Sequence, residues 1–164
     1  MLTAVARALE IRSRHGIEGV ASEDEVDRAV AGAGFDLRED RPYEDRLYGR
    51  FFRGTVCVKR GLWPELRRVV KAHELGHGVL GHDTGYYLQP ALGGEVPRGA
   101  AEIQAQIFAW TLLVGEPAPS ADGLTAQMHA AHEAGVSLPF LCTAVSILAQ
   151  LHDPVRGRPL RALC

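Results

Sequence analysis

The chain has 164 residues, of which 46% are hydrophobic and 23% charged, and carries a net charge of −2. These values suit one soluble globular domain large enough for a proper core, and they give no ground for a nucleic-acid partner. No stretch reaches the ~18 uninterrupted apolar residues of a membrane span, and Arg7, Glu10, Arg12 and Arg14 interrupt the apolar run of a signal peptide.

A first helix is predicted from about residue 2 to 14, ending at Gly16. Ser22-Glu-Asp-Glu25 reads as a capping box opening a second helix to about Ala31, stopped by Gly32 and Gly34. Phe35 to Leu37, Leu47 to Phe52 and Thr55 to Lys59 have strand character, the last two forming a hairpin around Arg53-Gly54. Pro64 suits a first helical turn, Glu65 complements the positive end of the dipole and Gly81 a left-handed C-terminal cap, so a helix is predicted over about residues 64 to 80. A Gly/Pro-bearing loop from His82 to Arg98 leads to an apolar helix over Ala100 to Val114. Glu116-Pro-Ala-Pro-Ser120 breaks the chain before a helix near residues 121 to 134, and Leu138 to Leu151 makes the last one. The order predicts an α+β domain over residues 1–152, helices on a small antiparallel sheet, with a loose tail over 153–164.

The most informative stretch is His73-Glu74-Leu75-Gly76-His77, an H-E-x-x-H sequence inside the predicted 64–80 helix. Two imidazoles four residues apart lie one above the other on a helix face, close enough to share one zinc ion, with Glu74 beside them in reach of a metal-bound water. Projected at about 100° per residue, Leu66, Val69, Val70, His73, His77 and Leu80 form one inward stripe, while Arg67, Arg68 and Lys71 point away. Two inward histidines can also be core residues satisfied by hydrogen bonds, but a metal is the simpler partner, since burying them unpaired is costly.

A catalytic zinc takes three protein ligands and keeps a position open for water. The metzincin pattern fails here, with Leu80 and Asp83 where glycine and histidine belong; Asp83 remains a possible oxygen ligand. Glu102 is the better candidate: Ala105 and Ala109 follow it on the same helical face and would let its helix approach the motif helix closely. Without the upstream motif, Glu102 would be read as a carboxylate complementing a helix N-terminus. His82, Tyr86 and Tyr87 follow the motif helix and could donate to an oxyanion, although surface or packing roles are the commoner ones. His129 and His132 read as a solvated helix face rather than a second metal site.

His73-Glu-Leu-Gly-His77 with Leu80 and His82, followed about twenty-five residues on by Glu102-x-x-Ala105-Gln106-x-Phe108-Ala109, resembles the ImmA/IrrE-type metallopeptidases. Gln106 stands where that family usually has Asn or Asp. The resemblance covers roughly residues 20 to 151, with the hairpin upstream and Gly135-Val-Ser-Leu138 entering the final helix downstream. It implies a zincin-like core in which His73, His77 and Glu102 hold zinc and Glu74 is the general base. It also implies an intracellular endopeptidase of narrow specificity, whose protein substrate is a helix-turn-helix repressor of a mobile element or a stress response.

Two other classes fit the motif: a zinc-stabilised protein-binding module without catalysis, which a fourth ligand such as Asp83 would favour, and a zinc hydrolase of a non-peptide amide. Arg46, Arg50, Arg53, Lys59, Arg60, Arg67, Arg68 and Lys71 cluster around the hairpin and motif helix and read as a solvated face, or as one that receives an acidic substrate segment. Cys57, Cys142 and Cys164 are odd in number, far apart and lack a C-x-x-C pattern, which suits a reducing, cytoplasmic setting.

Overall fold

The computed structural model describes residues 2–40, 47–82, 84–88 and 99–152; the 153–164 tail expected from sequence lies outside them. Among the described residues there are six helices and four strands. The helices are α1 (Leu2–His15), α2 (Glu23–Gly32), α3 (Pro64–Val79), α4 (Ala100–Val114), α5 (Ala121–Glu133) and α6 (Leu138–His152). The strands are β1 (Asp36–Asp40), β2 (Leu47–Phe52), β3 (Thr55–Lys59) and β4 (Thr84–Leu88), in the sheet order β1-β3-β2-β4. The α+β architecture is the expected one.

The sheet departs from expectation in two ways. β2 pairs antiparallel with both β3 and β4, as the Arg53-Gly54 hairpin requires, but β1 joins β3 in parallel, Asp36 opposite Thr55. The sheet is therefore mixed. β4 falls within the segment read as loop, because Thr-Gly-Tyr-Tyr-Leu is too short and too irregular to show alternation.

Local signals account for the element ends. The Ser22 capping box forms in full: the Ser22 amide donates to Glu25 Oε2 at 2.7 Å and the Glu25 amide to Ser22 Oγ at 3.3 Å. At the end of α3, Gly81 takes φ +73°, a conformation that costs glycine little. The chain turns there so that the His82 amide donates to His77 O at 2.9 Å and the Gly81 amide to Gly78 O at 3.2 Å, a Schellman cap.

α3 runs through the middle of the molecule. Residues Arg68 to His77 are all buried, which a surface helix with one apolar stripe would not show. On one side Val70, Glu74 and Gly78 face the sheet: a Cβ at Gly49 of β2 would meet Val70 and Glu74, and one at Gly78 would meet Phe35 and Phe51. On the other side Gly76 faces α4, where a Cβ would come within 3.0 Å of the Phe108 ring. Ala105 and Ala109 are buried as expected, but the small residue at this contact is contributed by α3.

α4 is buried from Ala105 to Leu113, with α1, α3 and α6 packed around it. Its Phe108, Trp110, Leu112 and Leu113 join Leu75 of α3 and Phe140, Leu141 and Leu148 of α6 in the core. Burying each such side chain is worth about 1.5–3 kcal/mol.

The basic cluster read as a solvated face is corrected at three positions. Arg68 is buried, donating from Nη1 to Ala21 O at 2.9 Å and from Nη2 to Ala134 O at 3.1 Å. Lys71 is buried as well, with Nζ 2.7 Å from both Glu23 Oε1 and Asp27 Oδ1. Arg67 pairs with the same Glu23. A helical projection places cations outward on polarity alone, whereas here α2 supplies acids to Arg67 and Lys71 and two backbone carbonyls receive Arg68. His129 and His132 are exposed, in keeping with a solvated face. No helix among the described residues is long and apolar enough to cross a membrane.

Candidate metal centre

His73 and His77 project from α3 one turn apart, and their Nε2 atoms lie 3.1 Å from each other. Glu102, in the first turn of α4, reaches both: Oε2 is 3.1 Å from His73 Nε2 and Oε1 is 3.4 Å from His77 Nε2. The close packing of Gly76 against Phe108, nearly two turns further along α4, helps bring this carboxylate to α3. Each of the three residues offers one ligand atom, and these lie within 4.8 Å of one another. The structure thus assembles the three residues picked from sequence, although they come from helices separated by twenty residues of chain.

The donor set fits a small divalent cation. Nitrogen or oxygen ligands at the usual zinc distances in tetrahedral array stand about 3.4 Å apart; the two Nε2 atoms, at 3.1 Å, and the Glu102 oxygen nearest each ring, at 3.1 and 3.4 Å, are close to that spacing. The charge states fit too. Burial pushes the His73 imidazole below its ordinary range, with His77 acting in the same direction, while Glu102 and Gln106 oppose it. Burial pushes the Glu102 carboxyl up, but the His73 and His77 rings beside it outweigh that effect and bring the group down to about 2. Both shifts run toward the deprotonated forms that bind a metal.

Exposure across the group is uneven. His73 and His77 are 1% and 0% exposed, whereas the Glu102 side chain is 29% exposed, so the group meets the surface on the α4 side. Glu74 is 0% exposed and lies on the sheet side of α3, where Gly49 of β2 leaves room for its carboxylate. Gln106, the departure from the usual family residue, is buried against His73 and donates from Nε2 to Phe140 O at 3.5 Å.

His82 does not have the free donor an oxyanion partner needs. Its Nδ1 is 2.9 Å from His77 Nδ1 and its Nε2 is 3.0 Å from Gln104 Oε1, so both ring nitrogens are engaged. Asp83 lies outside the described residues. For Tyr86 and Tyr87 only the backbone is described, opposite Arg50 and Gly49 of β2. Sequence reasoning missed Gly49 and Gln104. The first carries no chemistry of its own, and the second shares a helix with Glu102 but lies two positions from it, off the face that drew attention.

No curated protein and no solved structure matches the chain. The family model for Peptidase_M78, the IrrE N-terminal-like domain, matches residues 31–146, a span that contains the H-E-x-x-H helix, the whole sheet and Glu102, and the chain belongs to this metallopeptidase family.

Proposed function

We propose that the protein is a zinc-dependent endopeptidase of narrow specificity in which His73, His77 and Glu102 hold the metal and Glu74 is the general base. The observation that carries this reading is the convergence of three ligand atoms from α3 and α4 within 4.8 Å, with a buried glutamate on α3 next to the first ligand. Zinc, when bound, supplies Lewis acidity that polarises a scissile carbonyl and makes water acidic near neutral pH. Glu74 takes the proton released by the attacking water and passes it to the leaving amine. The walls around Glu74, Val70 and the β2 backbone at Gly49, keep bulk water away from that transfer.

A peptide substrate is favoured over a small amide by the sheet. β4 follows α3 and, among the described residues, lies at the end of the strand order, pairing with β2. An extended peptide can add along such an edge and lay a carbonyl beside the histidines. A purely structural metal would instead use a fourth protein ligand to close the site. The substrate we favour, by the family resemblance, is a helix-turn-helix repressor cut once in a linker, in the cytoplasm.

The test begins with zinc per chain, after titration with metal, for wild type beside Glu102→Ala. One tight zinc that weakens sharply in the variant supports the three-ligand site; no zinc in either protein rejects it. Incubation with repressors encoded near the gene should then give one cut, and casein little product. Rapid degradation of casein would reject narrow specificity.

A further inference from the structure

We infer that His82 and Gln104 form a positioning relay that fixes His77 in the one tautomer able to bind metal through Nε2. The inference rests on the metal reading above and adds two residues to it.

The chemistry follows from which atoms can donate. Gln104 Oε1 only accepts, so the hydrogen of its 3.0 Å contact sits on His82 Nε2. A neutral His82 with hydrogen at Nε2 has a lone pair at Nδ1, and that atom faces His77 Nδ1 at 2.9 Å. His77 Nδ1 must therefore carry the hydrogen and donate it. Its Nε2 is left bare, on the side where His73 and Glu102 converge. Turning the Gln104 amide round reverses every donor in the chain: nitrogen would donate to His82 Nε2, His82 Nδ1 would donate to His77, and hydrogen would block His77 Nε2. The amide orientation and the ligand role are thus one and the same choice.

The backbone holds the relay as firmly as the side chains do. The Gly81 turn brings the His82 amide onto His77 O at 2.9 Å, so His82 is tied to His77 through both main chain and ring. Gln104 projects from α4 two residues after Glu102, so the helix that brings the carboxylate also brings the amide. A metal-bound histidine commonly donates its second N–H to a fixed acceptor, and loss of that acceptor costs about 10- to 100-fold in affinity. Here the acceptor is another imidazole, itself fixed by an amide.

The test is zinc affinity of the full chain by competition with a chromophoric chelator, for wild type, His82→Leu, His82→Asn, Gln104→Leu and Gln104→Glu. His82→Leu should bind zinc about 10- to 100-fold more weakly. His82→Asn should recover part of the loss because its carbonyl still accepts from His77 Nδ1–H. Gln104→Glu should stay near wild type, since a carboxylate also accepts, and Gln104→Leu should fall between. On the zinc-loaded wild type, long-range 15N correlation spectra should place hydrogen on His77 Nδ1 and His82 Nε2. Wild-type affinity in His82→Leu, or hydrogen on His82 Nδ1 in the spectra, would overturn the relay while leaving the metal site standing. Failure of wild type itself to bind zinc would overturn the metal reading and the relay together. The spectra decide the matter even where a variant fails to fold.

Discussion

Gly49 on β2 lies so close to α3 that a Cβ added there would stand 3.0 Å from both Cγ and Oε1 of Glu74, and nearer still to Val70. The glycine is the space in which the proposed general base sits. Gly49→Ala should destabilise by roughly 1–3 kcal/mol through overpacking, although alanine suits a strand better than glycine does. Peptidase activity should fall further than zinc affinity, because the displaced side chain is the base and not a ligand. Denaturation curves and zinc titrations on the same preparation check this, and an unchanged activity would show that β2 gives way instead.

Glu74→Gln keeps the shape of the side chain and removes its capacity to hold a proton. Cleavage should slow by about 10²- to 10⁴-fold with zinc affinity close to wild type. A variant that cleaves at the wild-type rate would remove Glu74 from the chemistry.

Zinc bridging α3 and α4 should stabilise the fold. At free metal about a thousand times its dissociation constant the gain is about 4 kcal/mol, visible as a rise in Tm that chelator reverses. Glu102→Ala should show most of that response lost. An equal rise in both proteins would place the metal elsewhere.

Glu23 accepts from Arg67 and from Lys71, and its carboxyl lies below the usual range, first because of the Arg67 hydrogen bond, against the opposing effect of burial. The unfolded chain therefore holds this proton more tightly, and stability rises with pH through the acid range. The contribution is complete above the unfolded carboxylate value of about 4.3 and is lost as pH falls through the lower folded value. Glu23→Gln should cost roughly 1–3 kcal/mol at neutral pH and flatten this acid limb, measured by urea denaturation from pH 7 downward. An acid limb of unchanged slope would discount Glu23 as its source.

Lys71 gives a sharper contrast. Lys71→Met exchanges a buried ammonium for an apolar chain of similar length and should be close to neutral, since Glu23 keeps Arg67. Removing both acids, by Glu23→Ala with Asp27→Ala, leaves the charge buried alone and should cost about 3–5 kcal/mol. Equal losses in the two proteins would mean that the ion pairs themselves hold α2 to α3.

Much of this was legible in the sequence, for physical reasons that differ by residue. His73 and His77 stood out because a four-residue step stacks side chains on a helix, and Glu102 because the face behind it is small. The helices declared themselves through caps at Ser22, Pro64 and Gly81. What stayed hidden depends on partners far along the chain. The parallel docking of β1 on β3, the inward turn of Arg68 and Lys71, and the grip of Gln104 on His82 are each set by a neighbour that no local pattern names.

The buried cations of α3 also decide where this protein can be cut. The family likeness begins at residue 31, yet Ala21, Glu23 and Asp27, which answer Arg68 and Lys71, all lie before it. A fragment trimmed to the likeness would strip Lys71 of both its acids and Arg68 of one of its two carbonyl acceptors. Such a fragment would keep every residue of the metal site and lose part of what holds its central helix in place, so expression should include α1 and α2 rather than begin at the edge of the shared region.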